Sequence, residues 1–182
     1  MDLFLLRTFQ RQAALQCKFV LTAANEVNNA LKARNSEGVF YALQNFLNAA
    51  ANVAKALWGG GGKLEQARKP LRDSIGIGDD SPLRVVTMRH NFEHFDERLD
   101  RWWKESSTHN HMDIVIGPSN SVAGLAEIDK FRHFDPTTTN LIFWGEEFNL
   151  QKIVDEVQKI LPKLEEEANK PHWDPKNVKP PA

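Results

Sequence analysis

The chain carries a single cysteine, Cys17, in 182 residues, and neither sign of charge is in excess. A lone thiol forms no disulfide within a chain and no thiolate metal site, which makes a reducing cytoplasm the expected setting. With 23 basic against 24 acidic residues the net charge is −1, so the strongly basic whole that marks many nucleic-acid binders is missing. A local site of a few Arg and Lys side chains around one phosphate fits that balance. Long apolar runs are also scarce. No segment approaches the roughly 20 apolar residues that cross a bilayer. The opening "MDLFLLRTFQRQ" starts acidic and has too short an apolar run for a signal peptide. No membrane partner is expected. No internal repeat occurs, and "WGGGG" is followed by no Gly-Lys-Ser/Thr, so it is not a phosphate loop.

Hydrophobic residues at 41% and charged residues at 26% describe a soluble globular protein long enough to bury a core. Cys17, set among helical residues, reads as a small buried hydrophobe. Four helices are expected in the first 106 residues. The first runs from Leu3 to about Ala33. Ser36 is placed to cap the second, where Val39, Leu43, Phe46, Ala50, Val53 and Leu57 draw an apolar stripe at alternating steps of four and three. The four glycines after Trp58 stop it. A third helix spans about Lys63 to Ser74, with Pro70 expected to bend or break it. The fourth is expected to run unbroken from Pro82, after the capping Ser81, to about Glu105. Its stripe is Val85, Met88, Phe92, Phe95, Leu99 and Trp102.

Beyond residue 106 the pattern changes. Ile114 to Ile116 read as a short strand, and "KFRHFD" and "TNLIFWG" as a hairpin turning through "PTTT". A last amphipathic helix follows from Leu150 to Leu164, expected to be cut or bent near Pro162. The predicted fold is mainly α: an antiparallel helical bundle over 1–106, a small C-terminal β-hairpin and final helix over 107–168, and a Pro/Lys-rich tail over 169–182.

The fourth helix holds the chemistry, in "MRHNFEHFDERLDRWW". At about 100° per residue, Arg89, His90, Glu93, His94 and Glu97 fall on the side away from the stripe. A solvated charged face is the plain reading of such a surface. Two chemistries compete with it. His90, Glu93 and His94 form H-x-x-E-H, two stacked imidazoles with a carboxylate between them, as some zinc peptidases begin. Such a site needs further ligands, and His109, His111, Glu127, Asp129, Glu146 and Glu147 stand in no recognisable second motif. No metal ligand is therefore assigned.

Arg89 and His94 suit cleavage of a phosphodiester without metal or other cofactor. Histidine exchanges a proton near neutral pH, and arginine offers a forked, permanent cation to the phosphate. On one helix the two lie about 7.5 Å apart along the axis and about 140° apart in azimuth. A second copy across a two-fold axis brings an Arg and a His together, so this chemistry predicts a homodimer through the fourth helix.

These residues resemble the HEPN domains, whose mark is R-x(4–6)-H in the last major helix of a helical bundle. Arg89 matches the Arg, His90 the polar residue after it and His94 the His, and the likeness covers about residues 1–106. The resemblance implies a metal-independent endoribonuclease acting on RNA as a homodimer, with paired motifs in the cleft between subunits. It makes His94 the base or acid, Arg89 the phosphate clamp and His90 a substrate-binding group. It further implies a toxin or defence role beside a partner antitoxin protein. The alternative is a non-catalytic bundle that binds a partner protein or a nucleotide. Elsewhere, His133 is expected at an exposed strand position, and Trp102 and Trp144 are expected to pack. Trp103 is the tryptophan most open to an interface, and His109 and His111 alternate in a loop.

Overall fold

A computed structural model describes residues 1–173; the tail expected over 169–182 lies, from residue 174 on, outside the described residues. Helix α1 (Leu3–Lys32) starts where the Asp2 carboxylate accepts from the backbone N–H groups of Phe4 and Leu5. A short turn through Arg34, at φ 54, sends α2 (Ser36–Trp58) back along α1. The cap of α2 is Asn35, whose side chain accepts from the Gly38 N–H at 2.9 Å. Ser36, expected as that cap, is instead the first helical residue. All six stripe positions of α2 are buried, and Cys17 lies against them in the core, its thiol pushed up to about 12 by burial. That thiol is inert at neutral pH.

Helix α3 (Gly62–Ile75) runs through Pro70 without a break and ends at Gly76, which supplies the left-handed φ of 67°. The turn after Pro70 is held by its neighbours. Leu71 is fully buried, and the Arg72 guanidinium donates to the carbonyls of Leu57 (2.8 Å) and Glu65 (2.9 Å). Helix α6 (Leu150–Ala168) likewise continues through Pro162, with Ile160 and Leu164 buried on either side. It packs on α1 and α3. A polar seam joins the three: Arg7 on α1 pairs with Glu167 at 3.2 Å and donates to Gln10, which donates to Ser74. No helix among the described residues is long and apolar enough to cross a membrane.

The expected fourth helix is three pieces. Pro82–Arg84 form a 3₁₀ turn capped by Ser81, Val85 is extended, and two helices follow, α4 (Met88–Glu93) and α5 (Phe95–Glu105), parted at His94. A four-stranded sheet completes the fold. Strand β1 (Val115–Ile116) runs parallel to β2 (His133–Asp135), which pairs antiparallel with β3 (Asn140–Phe143), and β3 with β4 (Glu146–Asn149). The hairpin through residues 136–139 is where the sequence places it, and β4 is an addition to it. Trp144 and Gly145 close the β3–β4 turn with φ of 50° and 77°, as a two-residue type I′ turn requires.

Two aspartates fasten the sheet region. Asp135 accepts from the hydroxyl (2.6 Å) and N–H (2.9 Å) of Thr137 and from the Ser119 N–H (3.0 Å). Those hydrogen bonds, the Thr137 hydroxyl first, hold its carboxyl down to about 2. Asp129 is lowered in the same way by Ser106, Thr108 and Trp102. A depressed carboxylate stabilises the fold above its unfolded value of about 3.9 and loses that contribution as the pH falls through the folded value. Thermal midpoints are therefore expected to hold steady above about pH 5 and to drop between about pH 4 and pH 2. Asp135→Asn flattens part of that drop, as melting curves across pH will measure.

Candidate functional site

Met88 and Phe92, four apart on α4, are buried, and this turns His90 and Glu93 outward while Arg89 lies partly buried beside them. The helix opens at His94, whose φ of −102° and ψ of 43° leave the α region. A polar brace accounts for the break. The Glu146 carboxylate on β4 accepts from the Thr87 hydroxyl and the Asn91 amide, each at 3.0 Å. The Asn91 carbonyl in turn accepts from Arg98 Nε at 3.0 Å, so one glutamate grips both helices at their joint. Beyond the joint the stripe expected to be buried is largely open. Phe95 is 61% exposed and Leu99 37%, Val85 ahead of the joint is 63% exposed, and α5 has no buried residue among the described residues.

The two residues expected to act on phosphate are not joined to each other by a hydrogen bond among the described residues. Arg89 Nε lies 3.2 Å from Glu93 Oε2, with its side chain only 14% exposed. His94 Nδ1 lies 3.3 Å from Glu97 Oε1 and is half exposed. What does converge is the histidine pair. The rings of His90 and His94 stand 6.0 Å apart between centroids, and one donor atom each of His90, Glu93 and His94 fit within 4.8 Å of one another.

A cleft of about 600 Å³ opens beside Glu93. Phe92, Phe95 and Leu99 form one side, Gln44 and Asn48 of α2 another, and Phe131 and Arg132 the sheet side. The carboxamides of Gln44 and Asn48 bond to no other group among the described residues, whereas Arg132 is spent on Asp113 through a forked pair. Burial pulls the Asp113 carboxyl upward, but the Arg132 hydrogen bond and charge outweigh it, and the net shift is downward.

The remaining candidates are structural. His133, expected at an exposed strand position, is 3% exposed, because β2 is covered on both faces; its Nε2 lies 2.8 Å from the Gly117 carbonyl. The His109 ring packs tilted against Trp103, 4.3 Å between centroids, and His111 likewise against Phe131 at 4.5 Å. Trp102 and Trp144 are half-buried against the core, as expected. Trp102 donates to Asp129 at 2.9 Å, which moors α5 to the connection between β1 and β2.

Sequence spacing missed the brace of Glu146 and Asn91 and the whole cleft. Asn91 stands within the motif, but its partner lies 55 positions away, and no local pattern announces it. Comparison with protein-family models, with curated proteins and with solved structures finds no match.

Proposed function

We propose that this chain is a HEPN-like, metal-independent endoribonuclease that works as a homodimer built on α4 and α5. One observation carries the reading. Phe95, Leu99 and Trp103 follow one another at four-residue intervals along α5, exposed, immediately beyond His94. An apolar helix face of this kind is buried by association. A self-complementary contact across a two-fold axis beside Phe95 brings each copy's His94 toward the other's Arg89. His94 then exchanges the proton of a ribose 2′-hydroxyl, Arg89 answers the charge that builds on the phosphate, and His90 binds the substrate. The aromatic cleft takes an unstacked base beside the scissile bond, as aromatic platforms do for single strands. An antitoxin protein, where one exists, covers the same outward face.

The test couples assembly to turnover. Wild-type protein in chelator is expected to sediment as a dimer and to cut single-stranded RNA. Phe95→Asp with Trp103→Asp, both at exposed positions, is expected to give a folded monomer whose cleavage falls in step with dimer content. A wild-type monomer that cuts RNA sinks the shared-site idea.

The cleft favours a second reading, a bundle that binds a nucleotide without cutting RNA. Saturable binding of a mononucleotide by a protein with no RNA turnover would decide for it.

A further inference from the structure

We propose that His90, Glu93 and His94 form a zinc site, with Glu97 as the positioning residue behind His94. Three features of the α4–α5 joint point to it. The first is convergence: the three donor atoms lie within 4.8 Å of one another, all on exposed side chains that rotate at little cost. Zinc bonds of about 2.0–2.1 Å at tetrahedral angles ask for donors roughly 3.4 Å apart, a small closure from that arrangement.

The second is orientation. Glu97 Oε1 sits 3.3 Å from His94 Nδ1, so the proton belongs on Nδ1 and the lone pair of Nε2 is free to ligate. Metal-binding histidines are held in this way by a carboxylate behind the ring. Glu93 Oε2 lies 3.2 Å from Arg89 Nε without a hydrogen bond between them, so only charge holds this carboxylate and it is free to turn to the ion. The third is donor type. Two imidazoles and one carboxylate suit zinc, whereas magnesium and calcium seek oxygen alone. Three protein ligands leave a fourth position open to water.

Occupancy has a consequence that rests on the nuclease reading. A lone pair given to zinc cannot accept the 2′-hydroxyl proton, so zinc inhibits cleavage and a chelator restores it.

Titration of the full chain with zinc chloride, followed by calorimetry, decides the site. One ion per chain is expected, with no response to magnesium chloride. His90→Gln and Glu93→Gln are each expected to abolish the binding, and Glu97→Gln to raise the zinc Kd by about 10–100-fold. All three side chains are exposed, and melting curves check that each variant is folded. Cobalt(II) in place of zinc is expected to show the absorption bands of a four-coordinate ion, lost in the same variants. Binding that survives His90→Gln, or an affinity indifferent to Glu97→Gln, marks an adventitious ion and overturns the site. A protein that binds zinc but cuts no RNA in chelator loses the nuclease reading, and the inhibition with it, while the titration still establishes the site. Cleavage undiminished by bound zinc overturns the inhibition.

Discussion

If the proposed nuclease reading holds, His94→Ala is expected to lower RNA cleavage by about 10²–10⁴-fold, the range a positioned general acid or base contributes. Arg89→Ala is expected to cost about 10²–10³-fold, as loss of a preorganised charge donor does. The double variant should fall little further than the worse single one, because base and clamp act on one transition state. Arg89→Lys is expected to recover only part of the loss, since an ammonium lacks the fork that grips two phosphate oxygens. The stability of the variants separates chemistry from collapse. His94 is half exposed and its ionic partner among the described residues is the exposed Glu97, so His94→Ala should unfold within about 0.5 kcal/mol of wild type. Cleavage at the wild-type rate by His94→Ala removes the histidine from the mechanism, whatever Arg89 does.

That the motif could be found at all follows from its locality. Arg89, His90, Glu93 and His94 lie within six residues, and the burial of Met88 and Phe92 sets which side of α4 they occupy. Within one turn the spacing argument holds. Carried across His94 it fails, because the azimuths assume a helix that continues, and the Glu146 brace interrupts it. The stripe from Val85 to Trp102 had ideal spacing and is nonetheless half exposed. Periodicity reports that a face is apolar. It does not say whether this chain or another covers it.

The long helices were legible for the opposite reason. In α2 the apolar positions recur over about five turns of about 3.6 residues, and no alternative burial accommodates so many of them. The Gly run then stops the helix at Trp58. Strand β4 escaped notice because Glu146 and Glu147 make a charged edge strand, whose ladder is set by its pairing with β3 and not by its own propensity. The cleft was out of reach altogether. Its walls come from α2, α4, α5 and the sheet, and only the folded chain puts Asn48 near Phe131.

Phe46→Ala is expected to be the most damaging single truncation of the core, at about 3–5 kcal/mol. Phe46 is fully buried midway along α2, and Leu43, Leu47 and Ala50 beside it on the same helix are equally shielded. Well-packed neighbours on rigid helices collapse poorly into the space a ring leaves, which is what places the expected cost in this range. For a chain of this size each kcal/mol moves the thermal midpoint by about 2–4 °C, so the midpoint should fall by roughly 6–20 °C. Tyr41→Ala, on the same helix but 69% exposed, serves as the control and should shift stability by less than about 0.5 kcal/mol. The effect should reach the site, because α2 packs on α4 and carries Gln44 and Asn48 into the cleft. Hydrogen exchange in α4 is expected to quicken in Phe46→Ala well below its melting temperature, as local opening becomes easier. If exchange there stays at the wild-type rate while the midpoint drops, the α4–α5 joint is held by the Glu146 brace and not by the core beneath it. Glu146→Gln is then the variant that must loosen it.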